Sequence, residues 1–356
     1  MSLEPLELDL LTRLEDARED WLRLGEGAGN PFSTWEWAQA WWTHFGEERE
    51  LLLVRLRSGD GRVVALVPLY VARTKPVRMV RLIGHGPADQ LGPVCARADA
   101  GAAMTALRQG FRERILGCQV ALLERLPAED EGLAPAAGGR FLRREPSPVL
   151  EHEGDFQSFL ASRSRNFREQ VRRRERRLAR DHSTELVLTT SSETLERDYW
   201  TLVELHRRRW GEGSRAFEPP RDRFHLEFAA AALDRGWLRL WTLQVDGRPA
   251  AAWLGYRMGG AEWYYQAGRD PALEREAVGF VLMAHTVRAA LDDGMHRYRL
   301  LLGGEAYKDR FATSDPGVDT VALAHGVRGR AAVALARAAA SAPAPLRRRV
   351  GRLGRV

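Results

Sequence analysis

Residues 238–257 read LRLWTLQVDGRPAAAWLGYR. Two strand-like runs flank an Asp-Gly pair, the dipeptide that supplies the positive φ values of a tight hairpin turn, so the stretch reads as a β-hairpin. Residues 51–70, LLLVRLRSGDGRVVALVPLY, have the same construction around a second D-G-R turn. The segments after the two hairpins also correspond. RMVRLIG (78–84) parallels EWYYQAG (262–268) as a third strand, and AAMTALRQGFRERIL (102–116) parallels FVLMAHTVRAALDD (280–293) as a helix. CQVALLERL (118–126) then parallels HRYRLLLGG (296–304) as a further strand. Hairpin, strand, helix, strand is thus written twice, about 180 residues apart.

This order dictates a topology. An antiparallel hairpin with a third strand, followed by a crossover helix, brings the next strand back parallel to the third, giving a mixed sheet. The expected fold class is α/β, a mixed sheet of α+β type present in two tandem copies. The 356-residue length suits two domains, with 44% hydrophobic and 29% charged residues in the range of a globular chain. The expected limits are 1–150 for the first domain, with a linker near 127–150, then 151–327 for the second and 328–356 for a tail.

Cys95 and Cys118 have neither C-x-x-C spacing nor a histidine pair nearby, so no disulfide framework or metal site is expected. The N-terminal segment MSLEPLELDLLTRLEDARED lacks a basic region followed by an apolar one, and no run reaches about 18 uncharged apolar residues. A cytoplasmic location is therefore the expectation. The net charge of +6 is concentrated at the C-terminus, where Thr320 to Val356 contain no acidic residue and eight arginines from Arg328 to Arg355. This tail (328–356) and the arginine-rich segment 162–181 read as solvated basic faces, or as contacts to anionic membrane or nucleic acid.

The chemistry concentrates after the last strand of the second copy. Residues 300–311 read LLLGGEAYKDRF, and Lys308 is one of the chain's two lysines, with Lys75, where every other cation is arginine. A retained lysine points to a place where a compact ammonium is needed and the planar guanidinium does not fit. Glu305 reads either as a general base or as a first-turn carboxylate, and Tyr307 as a proton donor or a core aromatic. His206 shares a helical stripe with Leu195, Tyr199, Leu202 and Trp210, which suits a core histidine or a base. Along 262–268, strict alternation puts Tyr264 and Gln266 on one face and Tyr265 on the other.

The element order resembles the GNAT acyltransferase fold. The segment Gly303-Gly304-Glu305-Ala306-Tyr307-Lys308-Asp309-Arg310-Phe311, with Leu205-His206-Arg207-Arg208-Arg209-Trp210 and Gly213-Ser214 upstream, resembles the CelD-like acyltransferases, relatives of the FemAB aminoacyltransferases. The resemblance implies two tandem GNAT-like acyl-CoA N-acyltransferase domains, of which the second carries the site. It implies acyl-CoA, chiefly acetyl-CoA, as co-substrate, lying between the fourth and fifth strands. Its pyrophosphate would lie at the helix opening near Gly279, beside Arg275, and its thioester against backbone N–H groups near Gln266 and Gly268. Tyr307, Lys308, Glu305 and His206 are the implied catalytic candidates.

The acceptor implied is an amine or hydroxyl of a small molecule or of a cell-envelope or polysaccharide precursor. Two departures stand out: one residue too many separates Arg275 from Gly279, and Arg299 stands where relatives carry Asp. An aminoacyl-tRNA-dependent transferase and a non-catalytic binder of RNA or anionic lipid are the alternative readings, although the long coiled-coil insertion of FemAB proteins is missing.

Overall fold

A computed structural model describes residues 6–129 and 132–341. The chain divides into two compact units, the second made of Pro146–Pro316 with Thr43–Phe45, and the first of the rest of the chain through Glu145 and again from Gly317. In the first unit β1 (Glu7–Leu11) is followed by α1 (Arg18–Ala28), α2 (Trp35–Phe45), the hairpin β2 (Glu50–Arg57) and β3 (Val63–Arg73), and β4 (Met79–Leu82). Next come β5 (Val94–Cys95), α3 (Ala100–Arg112), β6 (Val120–Pro127), α4 (Leu133–Ala137) and β7 (Arg140–Glu145). The second unit contains β8 (Val149–Glu151), α5 (Phe156–Ser162), α6 (Arg165–Asp181), β9 (Thr184–Leu188), α7 (Ser192–Trp210) and α8 (Arg221–Asp234). It continues with β10 (Leu238–Val245), β11 (Arg248–Met258), β12 (Ala261–Arg269), α9 (Val278–Asp292) and β13 (Arg297–Arg299). The chain ends its described course with β14 (Val318–Ala324) and α10 (Gly326–Ser341).

The duplicated order is present in space. β2, β3 and β4 pair antiparallel and β4 pairs parallel with β6; β10, β11 and β12 repeat this, with β12 parallel to β13. The two hairpins differ at their turns. Asp246 and Gly247 take φ of 51° and 73°, a two-residue turn with both centres left-handed, whereas the first turn spans Ser58–Arg62.

The expected domain limits need correction in four places. Residues 318–324 belong to the first unit: β14 is inserted between β6 and β7 and pairs antiparallel with both. Conversely, β8 leaves the first domain and pairs with β13 at the edge of the second sheet. The supposed linker contains α4 and β7. The first sheet takes β14 from beyond the second unit, and the second takes β8 from ahead of its repeated elements, which a local pattern cannot reveal because a buried strand reads alike in either sheet. The tail at 328–356 also begins as structure, since α10 packs Val333 against Val77, Val120 and Ala322. Residues 342–356 of that tail lie outside the described residues.

Each parallel pair is short. β12 and β13 pair only from Ala261–Arg297 to Trp263–Arg299, after which Leu300 turns its N–H to the Pro148 carbonyl and Leu301 adopts φ 56°. The strand expected through 296–304 therefore stops at Arg299, and the edge of β12 beyond Trp263 is left without a strand. In the first unit β4 likewise leaves β6 after Arg81, but there the Leu91 N–H bonds the Arg125 carbonyl, and the Arg125 guanidinium donates to the carbonyls of Gly86 and Ala88. The segment 84–91 thus lines β6 where β4 has departed. No helix of the described residues is long and apolar enough to cross a membrane.

Candidate active site

The second sheet separates two cores. On one face α5, α6 and α9 cover Trp253, Tyr264 and Tyr298; on the other, α7 and α8 bring Phe228 and His225 against Tyr256 and Tyr265. Where β12 and β13 part, a cavity of about 470 Å³ opens on the first face. Its walls are aromatic and cationic: Trp253, Tyr264, Phe280, Tyr307 and Phe311, with the guanidinium groups of Arg174, Arg209, Arg269 and Arg310. Glu274 is the carboxylate on this lining, and it pairs with Arg269 at 2.5 Å.

A β-bulge decides which residues of β12 face the cavity. Leu254 pairs with Gln266 but Gly255 with Tyr264, so Tyr265 is the extra residue and the alternation shifts by one. Tyr264, Ala267 and Arg269 accordingly line the cavity, and Gln266 does not, against the strict alternation expected from sequence. Tyr265 points the other way, its hydroxyl 2.8 Å from His225 Nε2. Gly268 lies on the lining, but α7 crosses it so closely that a Cβ would stand 2.2 Å from the His206 backbone nitrogen.

The start of α9 also borders the cavity, through Ala277, Gly279 and Phe280. Ala277, the N-cap, has φ 54° and no side-chain cap, so the first amides of the helix keep their capacity for an outside acceptor. Arg275 is exposed and absent from the lining; Arg269, from the end of β12, occupies the position beside Gly279 instead.

Tyr307 places its hydroxyl 2.9 Å from that of Tyr264. Burial, reinforced by Tyr264 and Glu305, pushes the Tyr307 hydroxyl far above its ordinary range, so it is protonated at any working pH. Arg209 stands with its guanidinium carbon 5.7 Å from the Tyr307 ring centre and 4.5 Å from that of Trp210. The run Arg207-Arg208-Arg209 divides its work. Arg207 donates to the Phe217 carbonyl, Arg208 pairs with Asp270, and Arg209 alone enters the cavity.

Lys308 does not line the cavity. Its ammonium is buried, donates to the Leu302 carbonyl, lies 3.0 Å from Glu305 and 5.8 Å from the Tyr264 ring centre. Its local task is to close the loop from Leu302 to Lys308. The compact ammonium fits this buried turn. Glu305 folds back over Gly303, which takes φ 116° and where a Cβ would meet the Glu305 carboxylate. Both residues therefore shape the corner that carries Tyr307 and lie outside the lining themselves.

His206 is a core residue. Its Nδ1 donates to the Ala267 carbonyl at 3.0 Å, which leaves Nε2 to accept from the Ser214 hydroxyl at 2.7 Å. Burial lowers it to about 4, with Arg209 and Arg207 pushing the same way. The sequence reading missed Arg209, Arg269, Arg174 and Arg310. A signal was present for Arg209, the third of three consecutive arginines ending a helix, but its direction depends on the phase of α7.

These buried histidines give a pH prediction. His206 at about 4 and His225 at about 3 are neutral in the folded chain, whereas the unfolded chain takes up their protons near 6.5. Both folded values are lowered, so the unfolded state binds more protons below 6.5, and the stability they contribute is lost as pH falls toward the folded values. Thermal melts should be flat near pH 7 and fall between pH 6.5 and about 5, by at most about 1.4 kcal/mol per pH unit for each histidine. Tyr265→Phe/His225→Asn should remove the His225 share of that limb and leave the His206 share; a melting temperature unchanged down to about pH 5 contradicts the assignment.

Residues 165–309 match the family model described as an acetyltransferase (GNAT) domain. That segment of the second unit is thus similar to a GNAT acetyltransferase domain. The first sheet repeats the strand order of the second, β2-β3-β4-β6 against β10-β11-β12-β13. Among solved structures, FemX superposes with a TM-score of 0.62 at 11% identity, covering 89% of this chain and 97% of FemX. The C-terminal domain of a putative lysylphosphatidylglycerol synthetase from Agrobacterium fabrum gives 0.60 at 13% identity, covering 92% and 96%. The L-PGS from Bacillus licheniformis gives 0.55 at 12%, covering 95% and 98%. At these identities the chain shares their fold. No curated protein is significantly similar to it in sequence.

Proposed function

We propose that the second unit transfers an acyl group, chiefly acetyl, from acyl-CoA to an amine or hydroxyl acceptor. The supporting observation is the cavity itself. It combines an uncapped helix start, four guanidinium groups against one carboxylate, and a protonated tyrosine pair in the opening between two parting strands. The residues fit the donor. The first amides of α9, Arg269 and Arg174 would hold its diphosphate, and the apolar wall of Trp253, Leu282 and Met283 would cover its arm. When bound, the donor supplies the activated acyl carbon.

The chain's own residues would then act in order. Backbone N–H groups on the open edge of β12 near Gly268 orient and polarise the acyl carbonyl. The acceptor's lone pair forms the new bond to that carbon as the carbon–sulfur bond breaks. Tyr307 passes its proton to the leaving sulfur and takes back the proton that the acceptor sheds, while Tyr264 and Arg209 stabilise the transient phenolate. Lys308 and Glu305 hold the loop that positions Tyr307. The first unit serves as scaffold, since its own strand opening is taken by residues 84–91.

A second reading, an aminoacyl-tRNA donor, draws on α6. Arg172 and Arg173 project from that helix without a carboxylate partner among the described residues, while Arg174 of the same helix enters the cavity. Calorimetry with acetyl-CoA tests the first reading. Arg269→Gln and Arg174→Gln should each weaken binding about tenfold to a hundredfold, the worth of a charge-assisted hydrogen bond. Absence of acetyl-CoA binding together with salt-sensitive binding of charged tRNA would overturn it in favour of the second.

A further inference from the structure

We propose that the outward face of α10 rests on an anionic lipid bilayer and ties the protein to a membrane surface. The inward face is settled by its contacts. Val333 is 4% exposed and packs on Val77, Val120 and Ala322 of the first unit, with Ala332 beside it. One turn of 3.6 residues then fixes what points away. Val327, Ala331, Ala334 and Ala338 form an outward strip, with Arg330 and Arg337 along one rim and Leu335 and Arg328 along the other.

Val327 is 79% exposed and Leu335 71%, the two most exposed large apolar side chains among the described residues. No acidic residue occurs from Thr320 onward, and the sequence beyond 341 adds Arg347, Arg348, Arg349, Arg352 and Arg355. A water-facing helix of this chain looks different. The arginines of α6 alternate with Glu169, Glu175 and Asp181 and pair with two of them.

An apolar strip between two arginine rims asks for two things at once: a low-dielectric phase for Val327 and Leu335, and negative charge at the height of the guanidinium groups. The boundary between acyl chains and anionic headgroups supplies both, with the long arginine stems reaching outward from the apolar strip. A second copy of the chain would set arginine rims against arginine rims. A nucleic acid would engage the rims and leave the strip in water. The bilayer is the occupant that satisfies both parts, and this inference does not depend on the transfer reaction proposed above.

The test is sedimentation of the full chain with vesicles of phosphatidylglycerol and phosphatidylcholine in equal parts, against pure phosphatidylcholine. The wild-type chain should pellet with the first and not the second, less so at high salt. Combining Arg328→Gln, Arg330→Gln and Arg337→Gln should weaken binding by about fivefold per arginine, roughly a hundredfold together. Val327→Ser with Leu335→Ser should abolish the salt-resistant part. All five side chains are exposed, so melting temperature should not move. Failure of the wild type to pellet overturns the proposal. So does wild-type binding by both variants, which would place the attraction in residues 342–356, or equal loss of binding to a probe RNA, which would make the surface a phosphate contact.

Discussion

Tyr307→Phe is expected to lower kcat by about a hundredfold to ten-thousandfold, the range spanned by positioned proton donors, with little change in KM for the acyl donor. The hydroxyl is the only group removed, and it acts when the leaving sulfur develops charge, so the loss falls on the transition state and not on ground-state binding. Its buried position keeps the hydroxyl protonated, so the wild-type rate should show no limb from this residue across neutral pH. Tyr264→Phe should cost less, about tenfold, since it removes only the hydrogen bond that steadies the phenolate. Melting curves should match the wild type for both. A Tyr307→Phe enzyme that retains wild-type turnover would remove the tyrosine from the chemistry and leave the cavity as a binding site only.

The second large effect is on stability. Gly268→Ala places a methyl group 2.2 Å from the His206 nitrogen and 2.5 Å from the Leu205 carbonyl carbon, both backbone atoms that no rotamer change can move. Helix α7 must therefore lift from β12, disturbing the His206 to Ala267 hydrogen bond and the path of Arg209 into the cavity. We expect a cost at or above the upper end of the roughly 1–3 kcal/mol typical of overpacking, a fall in melting temperature of about 6–12 °C, and loss of most activity. Gly279→Ala is the contrast. Its nearest neighbour is the flexible Cδ of Arg269 at 3.0 Å, and alanine favours the helix, so its melting curve should stay near wild type. Equal melting curves for the two variants would show that α7 yields easily at this crossing.

The duplicated hairpin, strand, helix and strand were legible because each depends on a local signal: an Asp-Gly turn, a period of two, a period of 3.6. The segment 300–311 was legible too, as a place of unusual composition. Its assignment was not. Lys308 stood out by rarity, yet its ammonium points to Leu302 and Glu305, and the cations that enter the cavity are arginines that composition hides among 54 basic residues. His206 looked equally suited to core and catalysis until both ring nitrogens were seen engaged.

The sequence alone determined the two mixed sheets, their internal strand order and the corner where Tyr307 sits, since short-range periodicity and turn chemistry specify these. Only the tertiary structure decided that β14 returns to the first sheet, that a bulge at Tyr265 turns Gln266 away from the cavity, and that Arg209 and Arg269 supply its charge. Strand partners far apart in sequence, a one-residue shift of register and the direction of a long side chain all depend on which surfaces finally meet. Those surfaces are chosen by packing between elements, which leaves no trace in the spacing of residues within any one of them.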